Sequence, residues 1–208
     1  MELIARAVNE YIEARYPKTD PLLEEMERLG RKRDFPIVGP QVGRILFILA
    51  RLAGAQRIFE MGSGFGYSAM WFARALAADG VVYQTENSPE NSKLSRDFFK
   101  KAGLRKKSEF LVGDAVELID TTGGLFDVIF IDMDKERYPA GFKKAKARLR
   151  KGGLLIADNL LWFGKVLENK PDPETLGIKE YTRLLFSDKD FFATILPIRD
   201  GVGVGYRL

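Results

Sequence analysis

Charged and amide side chains follow two apolar runs that have the composition of buried strands. The run FDVIFI is followed by Asp132, Asp134 and Lys135, and the run GLLIA is followed by Asp158 and Asn159. If both runs are parallel strands of one sheet, these side chains meet at the carboxyl ends of the strands, where such sheets bind ligands. The sequence therefore predicts two carboxylates, an amide oxygen and an ammonium group at one site.

Two carboxylates and one amide oxygen form an all-oxygen ligand set that suits octahedral Mg²⁺. We therefore predict that Asp132, Asp158 and Asn159 bind Mg²⁺ or another divalent cation such as Mn²⁺ or Ca²⁺. Such a cation would hold two neighbouring hydroxyls of a substrate and lower the pKa of the one that reacts. Lys135 is then the candidate base, and Asn159 lies beside the same substrate. The alternative is that both aspartates only cap following helices and that Lys135 is solvated.

A glycine-rich loop follows an earlier apolar run, in IFEMGSGFGYS. Gly62, Gly64 and Gly66 let the backbone turn tightly, so that a ligand can lie against main-chain N–H groups at the start of a helix. Glu60 precedes this loop, where it would repel a pyrophosphate but attract the sulfonium and ammonium groups of S-adenosylmethionine. The next strand ends at Glu86, which is placed to accept hydrogen bonds from ribose hydroxyls. A tight turn followed by a solvated strand end is the alternative.

Short β-rich runs alternate with helical segments from Arg57 onwards, which is typical of a parallel sheet covered by helices on both faces. The last two runs are joined only by Arg199, Asp200 and Gly201, so they must pair antiparallel. Alternate glycines in the last run indicate a strand on which other groups pack closely. We predict an α/β fold with a seven-stranded, mostly parallel sheet and an antiparallel C-terminal hairpin. The strands are expected in RIFEM, VVYQTE, SEFLVGD, FDVIFID, GLLIADN, FFATILPI and GVGVGYRL.

Helical periodicity predicts a helical N-terminal cover over residues 1–52, followed by an α/β core over residues 57–208. Asp20 and Pro21 have the pattern of a helix cap and a first-turn proline. The length fits a single domain, and no repeat or linker divides the chain. The segment FGKVLENKPDPETLG is predicted as a mobile loop from its Pro, Asp and Gly content. Helices of the core are predicted over residues 68–78 and 91–102, through AGFKKAKARL, and over residues 174–186.

The composition excludes several kinds of site. The chain contains no cysteine and no histidine, so it lacks thiolate and imidazole metal ligands and any Ser-His or Cys-His nucleophile arrangement. The net charge of +4 comes from 33 Lys and Arg against 29 Asp and Glu, which permits a nucleic-acid partner without indicating one. No apolar run is long enough to span a membrane and no secretion signal is recognisable, so we expect a cytoplasmic protein.

Three segments carry a family resemblance: EMGSGFGYSAMWFARAL, FDVIFIDMDKERY and GGLLIADNLLWFGKV. They resemble the cation-dependent O-methyltransferases, which include catechol O-methyltransferase and the caffeoyl-CoA O-methyltransferases. The likeness runs from about Pro36 to the C-terminus. It implies a Rossmann-like class I methyltransferase fold, S-adenosylmethionine as cofactor and usually a homodimer. It also implies a cation bound by Asp132, Asp158 and Asn159, with Lys135 as general base.

The resemblance also indicates which residues hold the cofactor, and in the caffeoyl-CoA branch these include the position of Asp134. The segment GDA at residues 113–115 closes the third strand, where the adenine would lie. The cofactor contacts that we predict are Val38, Glu60, Gly62, Ser63, Gly64, Ser68, Glu86, Asp114, Ala115, Asp132 and Asp134.

The chain departs from these relatives at three places. Plant members have Asp-Glu-Gly before the first core helix, where this chain has Gln-Val-Gly at residues 41–43. Phe163 stands where plant members place a substrate-contacting asparagine, and catechol O-methyltransferase has a tryptophan at the position of Asp134. These departures concern the acceptor more than the chemistry. Trp162 and Phe163 are predicted to wall an aromatic substrate, with plain packing as the alternative.

We interpret the chain as a divalent-metal-dependent enzyme that transfers the methyl group of S-adenosylmethionine to a hydroxyl of a small catechol-like phenol. In-line attack on the sulfonium methyl needs no covalent enzyme intermediate, which fits a chain without His or Cys. One alternative is methylation of a hydroxylated tRNA base by the same site, because some bacterial relatives do this and the chain is basic. The basic runs at residues 31–33, 105–107 and 143–151 are nevertheless typical of solvated faces. The other alternative is a non-catalytic nucleotide-binding module.

Overall fold

The computed structural model of the chain describes residues 6–17 and 20–208. Residues 1–5 and 18–19 of the predicted helical cover lie outside these ranges. Within the described ranges, no helix combines the length and the apolar character needed to cross a bilayer.

The centre of the molecule is one sheet, and each of its strands overlaps a run that the sequence predicted, although β5 begins four residues before its run. These runs are rich in β-branched and aromatic residues, which fit a pleated, buried surface. In chain order, the strands of the described residues are β1 (Arg57–Met61), β2 (Val81–Glu86), β3 (Ser108–Val112), β4 (Phe126–Ile131), β5 (Leu149–Ala157), β6 (Phe191–Leu196) and β7 (Val202–Arg207).

Helices precede the sheet and alternate with its strands. The N-terminal cover contains α1 (Arg6–Glu13), α2 (Pro21–Arg33) and α3 (Gly39–Leu52). The remaining helices are α4 (Tyr67–Ala75), α5 (Pro89–Lys101), α6 (Ala115–Thr121), α7 (Tyr138–Arg148) and α8 (Pro173–Ser187), with 3₁₀ turns at Arg105–Lys107, Lys135–Arg137 and Trp162–Leu167.

The strand order across the sheet is β3-β2-β1-β4-β5-β7-β6. The first five of these strands pair in parallel, whereas β7 pairs antiparallel with both β5 and β6. The predicted seven-stranded fold with an antiparallel C-terminal hairpin is therefore confirmed. The order reverses between β1 and β4, and ligands of doubly wound sheets bind in the crevice at such a point.

Both faces of the sheet are buried, as helical cover on two sides requires. Ile58 and Val128 lie side by side on β1 and β4 and pack with the cluster under α3, α4 and α5. Phe59 and Ile129, one position further, belong to the cluster under α6, α7 and α8. All four side chains are fully buried. The two clusters fix the strand ends in place, and these ends carry the candidate site residues.

In the N-terminal cover, α2 begins at the cap and first-turn proline that the sequence predicted. The Asp20 side chain accepts a hydrogen bond of 2.8 Å from the Leu22 N–H, and Pro21 occupies the first turn. Gly43 of α3 lies against the Trp71 ring, where a Cβ would collide with the indole. The cover is therefore closely packed on α4 and reaches the edge of the sheet where its parallel strands end.

The structure differs from the prediction in two segments. No helix was predicted between β3 and β4, but α6 forms there because Asp114 accepts a 2.8 Å hydrogen bond from the Val116 N–H and caps its first turn. The segment predicted as a loop at residues 163–177 contains most of a 3₁₀ turn and the start of α8. Asp172 caps α8 by accepting 2.8 Å from the Thr175 N–H, with Pro173 in the first turn. The misses are therefore the short helix α6 and the 3₁₀ turn, whereas α8 was predicted over residues 174–186 and begins at Pro173.

Candidate active site

A cleft of about 710 Å³ opens at the carboxyl ends of the parallel strands, between the sheet and the N-terminal cover. It brings together every residue that the sequence predicted for the site except Glu60. The predicted residues that line it are Val38, Gly62, Ser63, Gly64, Ser68, Glu86, Asp114, Ala115, Asp132, Asp134, Lys135, Asp158, Asn159, Trp162 and Phe163.

The glycine loop between β1 and α4 forms one wall of the cleft. Gly62 has φ of 92°, and a Cβ at this position would collide with the carbonyl oxygen of Asp132 on the neighbouring strand end. Gly66, with φ of 88°, is the N-cap of α4. The Ser63 N–H donates to the carbonyl of Thr85 at 2.9 Å, which ties the loop to the end of β2. Glycine is thus required where the loop passes between two strands, and the loop leads its backbone to a helix N-terminus.

Glu60 lies behind this wall and is fully buried. Burial raises the pKa of its carboxyl to about 7, the nearby hydroxyls of Ser63 and Ser68 partly offset that rise, and the charge of Asp132 adds to it. Neither carboxylate oxygen has a hydrogen-bond partner in the described structure. A buried carboxyl without a partner is costly, so Glu60 suits a nearby cation or a donor from a ligand. Its neighbours Ser63 and Ser68 line the cleft, although Glu60 itself does not.

The acids after β2 and β3 differ in how far they are already engaged. Glu86 accepts a 2.8 Å hydrogen bond from the Ser88 N–H at the end of β2. Asp114 uses one oxygen to cap α6 and the other to pair with Arg137 at 2.6 Å. Asp134 is exposed at the start of a 3₁₀ turn. Asp114 therefore has a structural task besides lining the cleft, whereas Asp134 stands open to it.

The predicted metal ligands meet where β4 and β5 end side by side. Asp158 is 5% exposed, and its Oδ1 atom is buried without a hydrogen-bond partner. Burial and the charge of Asp132 raise the pKa of its carboxyl to about 7. Asn159 donates from Nδ2 to Asp200 at 3.3 Å, which leaves its Oδ1 as an acceptor. Two carboxylates that repel each other, with the amide of Asn159 following one of them in the chain, fit a divalent cation.

The fit to a divalent cation depends on the amide of Asn159 as a third ligand. Across residues 6–17 and 20–208, no three His, Cys, Asp or Glu side chains cluster as a metal site. Asp132, Asp158 and Asn159 therefore remain a predicted donor set, which would leave other coordination positions to water or substrate oxygens.

Lys135 is buried at the base of the same edge. Its Nζ donates to Asp132 Oδ1 at 2.9 Å and to the Tyr138 hydroxyl at 2.9 Å. The Tyr138 hydroxyl donates in turn to the backbone carbonyl of Asp158 at 3.1 Å. Burial raises the pKa of Tyr138 well above its usual value, so its hydroxyl stays protonated. The ammonium is thus held in one position, bonded to Asp132 and linked through Tyr138 to the backbone of Asp158.

Two aromatic rings stand over this edge. The Trp162 and Phe163 ring centroids are 5.6 Å apart, and Lys135 Nζ lies 5.7 Å from the Trp162 centroid. Phe163 is 61% exposed, which is high for a residue that only packs. The pair therefore lines the cleft next to Lys135, and its contact with an aromatic substrate stays a prediction.

Backbone strain is concentrated at the cleft. Among the described residues, five residues other than glycine have a clearly positive φ, and four of them line it. L-residues in this region persist only where surrounding contacts hold them, and such residues cluster at functional sites. The four are Asn159 (62°), Trp162 (41°), Phe163 (53°) and Arg199 (51°).

The sequence reasoning missed three residues of the site: Tyr138, Arg199 and Asp200. Asp200 accepts hydrogen bonds from the Asn159 side chain and from the Phe163 N–H, so it orients both. The signal that could have found it is topological, because β7 runs antiparallel to β5 and must begin where β5 ends. For Tyr138, the three-residue spacing from Lys135 was the available signal.

Comparisons with known proteins agree with this geometry. A family model described as "O-methyltransferase" matches residues 13–208. A catechol O-methyltransferase from Niastella koreensis is 36% identical over 166 residues, which cover 77% of this chain and 75% of that protein. Caffeoyl-CoA O-methyltransferase 2 from Populus trichocarpa is 29% identical, over 93% of this chain and 84% of its own.

A solved structure adds the fold. The crystal structure of the O-methyltransferase from Bacillus cereus in complex with SAH superposes with a TM-score of 0.90 at 30% identity, and covers 97% of each chain. Because a family model spans nearly the whole sequence and a relative above 30% identity covers most of it, the chain belongs to the O-methyltransferase family, a family of methyl-transferring enzymes.

Proposed function

We propose that this protein transfers the methyl group of S-adenosylmethionine to a hydroxyl of a small catechol-like phenol, with a divalent cation bound beside the acceptor. The observation that carries the proposal is the convergence of Asp132, Asp158 and Asn159 with the buried ammonium of Lys135 on one edge of the cleft. That edge offers oxygen ligands for a cation, an amine for proton transfer and aromatic rings beside the acceptor.

The side of the cleft formed at the ends of β1, β2 and β3 would hold the cofactor. When bound, S-adenosylmethionine supplies an electrophilic methyl group, which leaves sulfur as the acceptor oxygen takes it. The N–H groups of the loop at Gly62 and Gly64 and the N-terminus of α4 can orient its polar groups, and Glu86 can accept from its ribose. Glu60, buried behind Ser63 and Ser68, favours a cationic ligand on this side. The structure of the Bacillus cereus relative is described as a complex with SAH.

The end of β4 and the end of β5 would hold the cation. When bound by Asp132, Asp158 and Asn159, a divalent cation supplies a Lewis acid that makes a phenolic hydroxyl more acidic. The Oδ1 of Asp158, which is buried without a hydrogen-bond partner, supports this assignment. The Asn159 Nδ2 donates to Asp200, so the Asn159 oxygen stays available as a ligand.

Lys135 would receive the proton of the acceptor hydroxyl at Nζ. Tyr138 fixes that nitrogen through the 2.9 Å hydrogen bond and is anchored to the carbonyl of Asp158. The ion pair with Asp132 holds the same nitrogen next to the end of β4. Lys135 Nζ is therefore positioned to act as the general base for an acceptor bound at this edge.

The acceptor site has the character of a small aromatic pocket. Trp162 and Phe163 offer ring faces next to Lys135. Offset stacking of a phenol on such rings would orient its hydroxyls toward the ends of β4 and β5. Holding the reacting oxygen in line with the methyl group is worth about 7–11 kcal/mol of the barrier in well-oriented reactions.

No observation favours the tRNA alternative. Each basic run has at least one side chain engaged elsewhere. Arg33 pairs with Glu90, Lys107 donates to the backbone carbonyls of Leu76 and Ala77, and Lys146 pairs with Asp188 and Asp190. Groups that already hold the fold together are poor candidates for tracking phosphates. Membership of an enzyme family argues against the non-catalytic module. Homodimerisation and a cytoplasmic location stay predictions.

The experiment is a mass-spectrometric screen of methyl transfer from S-adenosylmethionine to catechols, caffeoyl-CoA and bulk tRNA, each with Mg²⁺ and with EDTA. The proposal expects mono-methylated catechols in Mg²⁺ and none in EDTA. Methylation of tRNA without methylation of any phenol would replace the proposal.

A further inference from the structure

Arg199 occupies the turn between β6 and β7, at the rim of the cleft. Its φ of 51° lies in the left-handed region that favours glycine, and Gly201 follows with φ of 88°. Its neighbour Asp200 contacts Asn159 and Phe163, so the turn belongs to the acceptor side of the site. An exposed arginine at such a backbone position calls for a reason beyond turn formation.

The guanidinium is fixed across the rim. Arg199 Nη1 donates to the backbone carbonyl of Ile37 at 2.8 Å, and a Cβ at Gly39 would lie 2.8 Å from the same nitrogen. The group therefore rests at the start of α3, whose N-terminus has no side-chain cap and carries its own partial positive charge. A guanidinium has five donors, and this contact uses one of them.

The other cations of the cleft are already paired. Lys135 pairs with Asp132 at 2.9 Å, and Arg137 pairs with Asp114 at 2.6 Å. Among the described residues, Arg199 has no carboxylate partner within 4 Å. Of the three cationic side chains that line the cleft, Arg199 is thus the one whose donors remain available to a ligand.

The charge of the surroundings limits what that ligand can be. Six carboxylates line the described cleft, so a dianion such as a phosphate would meet strong repulsion opposite a single free guanidinium. A carboxylate carries one charge and matches the fork of one guanidinium. The six acids are Glu86, Asp114, Asp132, Asp134, Asp158 and Asp200.

We propose that Arg199 is a specificity-determining residue that selects acceptors bearing a carboxylate on the aromatic ring or on a short side chain. This inference rests on the proposed function, because it assumes a phenolic acceptor held at the ends of β4 and β5. The guanidinium binds the carboxylate at the rim while the hydroxyls face Lys135.

The test measures binding, so that it does not depend on turnover. Isothermal titration of the whole protein, with S-adenosylhomocysteine and Mg²⁺ present, compares 3,4-dihydroxybenzoate with its methyl ester. These ligands have the same ring and hydroxyls and differ in charge. We expect the wild type to bind the acid roughly tenfold more tightly than the ester, and Arg199→Gln to reduce that ratio to about one. Arg199→Lys keeps the charge without the fork and should retain part of the preference.

Arg183→Gln is the matched control, because Arg183 is an exposed arginine paired with Glu180 away from the cleft. It should keep the full ratio. The inference is overturned if the wild type binds the ester as tightly as the acid, if the preference survives in Arg199→Gln, or if neither ligand binds. Methyl transfer to the acid and to the ester is measured separately. Transfer to either ligand without a binding preference for the acid would contradict only the role of Arg199. A binding preference for the acid without transfer to either ligand would contradict only the proposed function.

Discussion

The two halves of the cleft make their turns in different ways. The half at the end of β1 uses glycines with positive φ, such as Gly62 and Gly66, which adopt that conformation without strain. The half at the end of β5 uses Asn159, Trp162 and Phe163 with positive φ, where a side chain makes the conformation costly. The first half therefore exposes backbone groups to the cleft, and the second exposes side chains whose backbone is strained. We infer that the first is a general cofactor cradle and that the second carries the chemistry and the choice of acceptor.

The largest effect should come from the second half. Lys135→Met removes the Nζ that bonds to Asp132 and Tyr138 while keeping a similar length. We expect kcat to fall by roughly 10² to 10⁴ with little change in cofactor affinity, because a positioned base acts mainly in the transition state. Steady-state kinetics with a catechol at saturating Mg²⁺ across pH 6 to 9 measure this.

Asp134→Asn is the contrasting variant on the same turn. Its carboxylate is exposed to the cleft and should bind the cofactor ammonium, so the KM for S-adenosylmethionine should rise more than kcat falls. If Lys135→Met keeps near wild-type kcat and the same pH profile, Lys135 is only a buried ion-pair partner and the base lies elsewhere.

A smaller effect is expected at the cradle. Glu86→Ala removes a carboxylate that is placed to accept from two ribose hydroxyls, and should weaken cofactor binding by about 1–3 kcal/mol. Glu109→Ala, an exposed carboxylate on the neighbouring strand β3, serves as the control and should leave the dissociation constant unchanged. Calorimetric titration with S-adenosylhomocysteine decides between them, and equal affinities for wild type and Glu86→Ala would remove Glu86 from the site.

The smallest effect concerns Glu60, the predicted cofactor residue that does not reach the cleft surface. Burial raises its pKa to about 7, so below that pH a cationic ligand must displace a proton to bind beside it. Affinity for S-adenosylmethionine should therefore rise by roughly tenfold from pH 5.5 to 7.5 and then level off. Without the cofactor, the free energy of unfolding should fall as pH rises from about 4.5 to 7, because the unfolded chain then binds fewer protons.

Glu60→Gln cannot ionise at this position, so it should lose the pH dependence of cofactor affinity. Its free energy of unfolding should depend on pH less steeply than that of the wild type, and the remaining dependence comes from Asp158, whose pKa is also raised. Titrations of wild type and variant in a series of buffers, with thermal unfolding in the same buffers, provide the measurement. A wild-type affinity that is flat over this pH range would mean that Glu60 supports the loop and does not sense the charge of the ligand.

The sequence could predict the cradle almost completely because its parts are adjacent in the chain. The strand β1, the glycine loop and the start of α4 form one continuous segment, and the geometry of such a turn follows from residue type. Glu60 was predicted only as a cofactor contact, and the structure places it fully buried and outside the cleft lining, so that contact stays a prediction. A residue alternates between faces of a strand, and without the register of β1 against β4 the depth of Glu60 could not be judged.

The acceptor half could be predicted only in part. Asp132 and Asp158 were found because each directly follows an apolar strand. Arg199 and Asp200 lie about forty residues further along the chain than Asp158, and they reach it only because β7 inserts between β5 and β6. The positive φ values of Trp162 and Phe163 had no signal in residue type, since L-residues adopt them through tertiary contacts such as the one between Asp200 and the Phe163 N–H.

The central claim is that the ends of β4 and β5 form a divalent-cation site on which methyl transfer depends. The most direct measurement is the initial rate of catechol methylation by wild type and by Asp158→Asn, first in EDTA and then after Mg²⁺ is restored in excess. Asp158→Asn keeps the shape of a side chain that is 5% exposed while removing its charge. We expect the wild-type rate to vanish in EDTA and return with Mg²⁺, and the variant to stay inactive in both conditions while still binding S-adenosylhomocysteine. A wild-type rate that persists in EDTA would contradict the account.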